Sequence, residues 1–171
     1  MLENLITSKT RLRLLIKFFI SQANHGYLNG LASEMGESTN SIRKELNNLY
    51  QAGYLKKYKV NNKVKYKANV DHPLFSILQK VILKHLGIEK IIEAVLERMG
   101  DVEKIILIGE YAKGIDSGSI EMLLIGNNLD MEYIGQIENK VENLIQRSLT
   151  ISLSKRFSKK IPHIILFDEK K

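Results

Sequence analysis

The sequence contains no cysteine among its 171 residues, no tryptophan and only two prolines. Without cysteine, the chain forms neither disulfides nor thiolate metal sites, which is typical of a cytoplasmic protein. Its four histidines lie far apart in sequence and form no pair at metal-ligand spacing. We therefore expect no bound metal and no other cofactor.

Long hydrophobic runs are also missing. The most apolar stretch, residues 14–20, is far too short to span a bilayer. Residues 1–15 carry an acid early and no small-residue cleavage site, so we expect no signal peptide. By contrast, 44% of the residues are hydrophobic and 26% are charged, which is typical of a folded protein of one large or two small domains. The sequence thus predicts a cytoplasmic protein without a membrane partner.

Excess positive charge is confined to the first part of the chain. Residues 1–70 hold 12 Lys and Arg against 4 Asp and Glu, a net charge of +8. Residues 71–171 hold 14 against 15, a net charge of −1. A basic domain beside a neutral one indicates a polyanionic partner for the first and a different role for the second.

The first part is predicted to contain three helices. Apolar residues at helical spacing indicate helices over 9–22, 28–35 and 39–51. We expect Gly36 to end the second helix and Ser38 to cap the third. Two short helices joined by so tight a turn form a helix-turn-helix motif.

The third helix carries a polar side opposite its apolar stripe. In a helix-turn-helix, residues near the start of the second helix meet base edges in the major groove, where Arg pairs with guanine and Asn with adenine. An ordinary solvated helix face is the alternative. The predicted DNA-binding residues of this helix are Ser38, Thr39, Asn40, Arg43, Lys44 and Asn47.

Residues 54–69 alternate lysine with valine and tyrosine, which predicts a β-hairpin directly after the helix-turn-helix. A three-residue loop at 61–63 would pair Val60 with Val64 and gather the lysines in facing pairs on the other side, whereas a two-residue loop would mix the two sides. Facing like charges destabilise a sheet, so we expect DNA phosphate to neutralise them. A solvated edge hairpin protected by lysines is the alternative. We call this hairpin the wing, and its predicted phosphate-binding residues are Lys57, Lys59, Lys63, Lys65 and Lys67. The three-residue loop also predicts that Tyr58 faces Tyr66, Lys59 faces Lys65 and Lys57 faces Lys67.

Residues 71–100 are predicted to form two apolar helices, the first starting near Pro73 and ending at Gly87, the second ending at Gly100. They are more apolar than a linker needs. Packing within the chain explains this pattern, and so does a homodimer, which would match the symmetry of most operators.

From residue 101 the pattern changes to short apolar strands around one helix that starts at Met131. A strand, a loop, a strand, a helix and two strands form a small α/β domain. The predicted fold class is therefore α+β, with three segments: an N-terminal winged helix-turn-helix over 1–70, a helical connector over 71–100 and a C-terminal α/β domain over 101–171.

In element order and length, the first part resembles the ArsR-like winged-helix transcriptional regulators, without the cysteine ligands of their metal-sensing members. The second part is similar to the minimal nucleotidyltransferase fold over residues 108–126, IGEYAKGIDSGSIEMLLIG. In that family a Gly-Ser turn holds triphosphate, and Asp-hydrophobic-Asp on the next strand binds the metals that bridge it. Here Gly109 matches the glycine, Glu110 stands in place of the serine, and Ser119 and Glu121 stand in place of the aspartates.

These replacements predict a domain without catalytic activity. One carboxylate remains where a metal pair needs two or three oxygen ligands, and an acid at Glu110 would repel triphosphate. The resemblance then implies a sensor or interaction domain with a small-molecule or nucleotide effector, although simple turns at Gly114 and Gly118 explain the same glycines. The predicted ligand-binding residues are Gly109, Glu110, Lys113, Gly114, Ser117, Ser119 and Glu121.

Three functions follow from the sequence as hypotheses. The first is a dimeric, sequence-specific transcriptional regulator that binds double-stranded DNA and is not an enzyme. The second is a nucleotidyltransferase that finds its target through the winged helix. The third is a winged helix that binds an acidic protein.

Overall fold

The computed structural model describes residues 2–158 and 160–170. The chain divides into two units, Met1–His85 and Leu86–Lys171. The segment predicted as a connector, 71–100, is shared between these units. Along the described residues, every helix is too short or too polar to cross a membrane.

The first unit is a winged helix-turn-helix preceded by a short 3-10 helix, Leu2–Asn4. The predicted helices are present, although the first ends at Phe19 and not at residue 22. A three-residue strand at His25–Tyr27 was not predicted. In chain order the elements are α1 (Lys9–Phe19), β1 (His25–Tyr27), α2 (Leu28–Met35), α3 (Thr39–Gln51), β2 (Leu55–Val60), β3 (Lys63–Ala68) and α4 (Phe75–Leu86).

The tight turn between α2 and α3 follows from its residues. Gly36 ends α2 with a left-handed φ of 62°, which glycine adopts without steric cost. Two residues later the Ser38 side chain accepts a hydrogen bond from the backbone N–H of Ser41 at 3.1 Å and caps α3. Both predicted caps are confirmed, and together they fix where α3 begins.

The core of the first unit is built around α1. Leu14, Ile16 and Phe18 have no exposed surface, and burying a side chain of this size stabilises the fold by about 1.5–3 kcal/mol. The ring of Phe19 contacts the rings of Tyr54 and Phe75, with centroids 6.5 and 5.6 Å apart. The start of the hairpin and the start of α4 therefore share one core with α1.

The hairpin turns through two residues. Asn61 and Asn62 have φ angles of 46° and 60°, and positive φ at both central residues is the geometry of a type I′ turn, which matches the twist of the flanking strands. Val60 lies opposite Lys63, and Lys59 lies opposite Val64. The third strand, β1, pairs with β3, so the sheet order is β1-β3-β2.

The predicted three-residue loop is therefore wrong, and with it the predicted pairs. Register is fixed by a buried face only where such a face exists. Here Tyr58, Val60 and Val64 are 49%, 39% and 44% exposed, so mixing apolar and basic residues on one face costs little. The predicted pairs that do not form are Val60 with Val64, Tyr58 with Tyr66, Lys59 with Lys65 and Lys57 with Lys67; Lys56 faces Lys67 instead.

The second unit is a four-stranded sheet with helices. Its elements in chain order are α5 (Ile88–Arg98), β4 (Asp101–Ile108), α6 (Gly109–Ala112), β5 (Ser119–Asn127), α7 (Met131–Ile145), β6 (Ser148–Ser154) and β7 (Ile164–Asp168). The strand order is β6-β5-β4-β7. β5 and β6 are parallel because α7 connects them as a crossover, and the other neighbours are antiparallel. The buried residues Leu107, Met122 and Ile151 lie side by side across β4, β5 and β6. The predicted α+β fold class is confirmed.

Candidate nucleic-acid interface

Helix α3 turns its polar side to solvent. Ile42 and Leu46, on its other side, have no exposed surface. Nη1 of Arg43 donates a hydrogen bond to Oδ1 of Asn40 at 3.0 Å, so one turn of the helix presents a guanidinium beside an amide. Among the predicted DNA-binding residues of this segment, the exposed ones are Ser38, Thr39, Asn40, Arg43, Lys44 and Asn47.

A buried carboxylate fixes α3 against α1. Glu45 is 7% exposed and accepts hydrogen bonds from Oγ of Ser8 at 2.9 Å and from Nε of Arg11 at 2.8 Å. Burial alone would raise the pKa of Glu45, but the hydrogen bonds from Arg11 and Ser8 outweigh it and leave the pKa below its ordinary value. This contact was not predicted, because its one signal in the sequence is an acid between Ile42 and Leu46.

The other basic residues of α1 hold α2. Nζ of Lys17 lies 2.8 Å from Oε2 of Glu34. Nη1 of Arg13 donates to the carbonyl of Met35 at 2.9 Å and lies 4.0 Å from Oε1 of Glu37. These contacts neutralise charge inside the unit, so α1 contributes little to the basic surface.

Internal pairing leaves the excess charge on α3 and the wing. Each acid of residues 2–70 lies beside a basic side chain of α1 or beside His85. Lys56 pairs with Asp71. The basic residues of this segment that form no ion pair within the described part of the chain are Lys9, Arg43, Lys44, Lys57, Lys59, Lys63, Lys65 and Lys67.

The wing carries lysines on both faces of the hairpin. Residues opposite each other on neighbouring strands share a face, and the face changes at each step along a strand. Lys57 and Lys59 therefore lie on the face of Tyr66 and Val64. The opposite face carries Lys63, Lys65 and Lys67, together with His25 and Tyr27 of β1.

His25 is sensitive to the charge of the wing. Burial lowers the pKa of His25 below its ordinary value, and the positive charges of Lys65 and Lys67 lower it further. A polyanion bound to these lysines would remove that repulsion and raise the pKa again. His25 was not predicted as a site residue, because β1 is too short to show an alternating pattern.

A groove of about 770 Å³ lies between α3, the start of α2 and the wing. Arg43 and Asn47 contribute one side of it. Val60, Lys63 and Val64 contribute the other. The structure thus brings together predicted DNA-binding residues of the helix and of the wing around one concave surface.

In the second unit, several of the predicted ligand-binding residues contact one another. Gly109 has a φ of 69°, and a β-carbon there would lie 2.1 Å from Oε1 of Glu121. Nζ of Lys113 lies 2.7 Å from Oε1 of Glu110. Glu110, and after it Glu121, raise the pKa of Lys113. The carboxylate of Glu110 therefore forms an ion pair with Lys113.

The rest of that loop is organised by a tyrosine that sequence analysis missed. Tyr111 is fully buried; its hydroxyl donates to Asp116 and accepts from Nε of Arg147 at 3.0 Å and from the N–H of Gly118 at 3.1 Å. Burial, and then the hydrogen bond to Asp116, raise the pKa of Tyr111 to about 12. Its signal in sequence is only that a large aromatic follows Gly109 closely.

The loop segments around this tyrosine are held locally. Oγ of Ser117 donates to the carbonyl of Ser119 at 3.3 Å, and Gly114 has a φ of 75° and is buried. Over residues 2–158 and 160–170, no three His, Asp or Glu side chains are grouped so that they could hold a metal ion. The hydrogen bonds made by Tyr111 and Ser117 therefore stabilise this loop.

No protein-family model and no curated protein matches the sequence. The chain is distantly similar to the structure of the tri-AMPylated HEPN toxin from Shewanella oneidensis in complex with the MNT antitoxin, at 15% identity over 48% of this chain and 70% of that chain, with a TM-score of 0.38. It is also distantly similar to the AntR antimony-specific transcriptional repressor, at 21% identity over 56% of this chain and 78% of that chain, with a TM-score of 0.38.

Proposed function

We propose that the chain is a sequence-specific DNA-binding regulator of transcription. The observation that carries this proposal is the location of the positive charge that no acid neutralises. Of the eight basic residues in residues 2–70 without an ion pair in the described part of the chain, seven lie on α3 and the wing. Basic charge gathered on one helix and one hairpin matches a nucleic acid better than it matches a solvated surface.

Helix α3 reads the major groove in this proposal. Its polar side is exposed, and Arg43 and Asn40 stand side by side at its N-terminal half. These are the residue types that pair bidentately with guanine and adenine. Glu45 and Arg11 hold the helix on α1, which supplies the rigidity that base reading requires.

The wing enters the adjacent minor groove edge-on. Since lysines lie on both of its faces, each face can meet one of the two phosphate rows that border a groove about 6 Å wide. The turn residues Asn61 and Asn62 then lie at the groove floor, where their amides can donate to the acceptors of A·T pairs.

The regulator acts as a homodimer. Ile77 of α4 and Leu74, which directly precedes that helix, are 54% and 41% exposed in the single chain, and a second copy would cover them. A two-fold dimer binds a palindromic site with half-sites about one helical turn apart. Light scattering measures the mass of the protein in solution, and a purely monomeric species at the concentrations that bind DNA would contradict this part.

The second unit is not an enzyme in this proposal but a sensor or interaction module. Glu110 is already paired with Lys113, and the carboxylate of Glu121 lies against Gly109, where the related enzymes place a phosphate turn. We expect no transfer of labelled nucleotide from any of the four triphosphates with Mg²⁺. Magnesium-dependent incorporation that is lost in Glu121→Ala would show that the unit is a transferase after all.

The decisive experiment is selection of bound duplexes from a random pool by the purified protein. Arg43→Ala should weaken binding to the selected site by about 1–3 kcal/mol and relax its specificity. The matched control is Lys9→Ala, which removes one exposed positive charge of α1 in the same unit. If Arg43→Ala binds the selected site unchanged, α3 is not the reading helix. If no duplex binds even at low salt, the winged helix has another partner, such as an acidic protein.

A further inference from the structure

The groove between α3 and the wing is lined by apolar as well as basic side chains. Leu28, Val60 and Val64 supply apolar surface, and the rings of Tyr27 and Tyr66 line it beside them. Its volume of about 770 Å³ lies in the range of small-ligand sites, roughly 300–1,000 Å³. An apolar concavity of this size on a surface otherwise dominated by lysine requires an explanation beyond phosphate binding.

Two cations stand on the same groove. Arg43 and Lys63 line it from opposite sides, and neither forms an ion pair with an acid in the described part of the chain. Phosphate alone would satisfy both cations but would leave the valines and Leu28 against a polar group. An aromatic or aliphatic body that carries one negative charge matches both the apolar and the basic residues that line the groove.

We propose that this groove binds a small organic anion with an apolar body, and that the anion competes with DNA. The competition rests on the proposed function, because Arg43 and Asn47 line the groove and also belong to the base-reading side of α3. An anion held on Arg43 withdraws that guanidinium from the bases and places a negative charge where DNA phosphate must approach. Bound ligand would therefore release the regulator from its operator.

The first test uses 8-anilinonaphthalene-1-sulfonate, an aromatic anion whose fluorescence rises on binding. We expect saturable binding with one site per chain. N-phenyl-1-naphthylamine has the same rings without the charge and should bind at least roughly tenfold more weakly. Equal affinity for the two compounds would overturn the assignment of an anion. Arg43→Gln and Lys63→Gln should each weaken binding of the sulfonate and leave binding of the neutral amine unchanged.

A filled groove provides the sharper test. A β-carbon on Gly30, which lines the groove, would meet no heavy atom within 4 Å, so Gly30→Phe adds a ring to open space. Gly135 of α7 is also helical with nothing within 4 Å of its β-carbon, so Gly135→Phe is the matched control. We expect Gly30→Phe to lower the affinity for the sulfonate at least roughly tenfold and Gly135→Phe to leave it unchanged. Unchanged affinity in Gly30→Phe would place the site elsewhere.

NMR of the unmodified protein keeps the test independent of how the variants fold. The backbone amides of Asn29, Asn61 and Val64, all on the groove, should shift first as the sulfonate is added, and shifts confined to the second unit would overturn the proposal. The duplex found by selection should displace the sulfonate, and retention of the sulfonate on the DNA complex would refute competition. Absence of any duplex binding would refute the DNA function, while charge-dependent binding lost in Gly30→Phe would still support the groove as an anion site.

Discussion

The two-faced wing makes a quantitative prediction about the salt dependence of DNA binding. Each phosphate that the protein neutralises contributes about 0.9 to the slope of log K against log salt. Lys57 and Lys59 lie on one face of the hairpin, and Lys63 and Lys65 lie on the other. Removing either pair should therefore reduce the slope by about 1.8 per winged helix, and removing all four by about 3.6.

The measurement is fluorescence anisotropy of a labelled duplex at several potassium chloride concentrations between about 50 and 300 mM. The two double variants are Lys57→Ala with Lys59→Ala, and Lys63→Ala with Lys65→Ala. The matched control removes Lys9 of α1 and Lys90 of α5, two exposed lysines outside α3 and the wing, and should leave the slope unchanged.

The result that refutes the edge-on wing is a one-sided effect. If one double variant reduces the slope by about two and the other does not change it, only one face of the hairpin meets phosphate. If both double variants behave like the Lys9 and Lys90 control, the wing lies away from the DNA. In either case α3 would have to supply the remaining contacts.

Further predictions concern individual side chains within each of the two units. Tyr111→Phe removes three hydrogen bonds, two of them to charged groups. It should destabilise the second unit by about 2–4 kcal/mol in urea unfolding monitored by hydrogen exchange. The control Tyr133→Phe removes a single hydrogen bond of 3.4 Å and should lower the free energy of unfolding by about 1 kcal/mol or less. In the folded protein the pKa of Glu45 lies below its ordinary value of 4.5. Ionised Glu45 therefore stabilises the first unit above about pH 4.5, and this stabilisation is lost as the pH falls through the folded pKa. Glu45→Gln should thus make the stability of the first unit less sensitive to acid, as measured by circular dichroism. The lowered pKa of His25 should rise toward its ordinary value of 6.5 when DNA neutralises the neighbouring lysines. Operator affinity should then be constant at higher pH and increase as the pH falls below about 7, and an unchanged pH profile in His25→Gln would contradict this.

The sequence was most informative where local rules decide the structure. The bounds of α2 and α3 are those predicted, because a left-handed glycine at 36 and a serine cap at 38 act on their own neighbours. The helix that starts at Met131 is equally local: the Asp130 side chain accepts hydrogen bonds from two backbone N–H groups of its first turn. Short apolar runs, two of them ending in glycine, identified the strands of the second unit.

The sequence was least informative where a contact with residues distant in the sequence determines the structure. The strand β1 has three residues and exists because β3 lies beside it. The Glu45 to Arg11 pair joins residues 34 positions apart, and the bond from Arg147 to Tyr111 joins residues 36 apart. An isolated acid or tyrosine on a buried face gives no sign of which distant donor reaches it, so these contacts could not be predicted from periodicity.

The wing shows how one wrong choice of register changes a functional interpretation. A three-residue loop would have made a hairpin with one basic and one apolar face, which suits binding along the outside of the phosphate backbone. The observed turn at Asn61 and Asn62 divides the lysines between the faces, and that arrangement suits insertion between two rows of phosphate. The same division leaves Val60 and Val64 exposed on opposite faces of the hairpin near its turn, and both line the groove together with Arg43. Both the manner of DNA binding and the proposed anion site thus depend on a turn that asparagine permits because it tolerates positive φ better than most residues do.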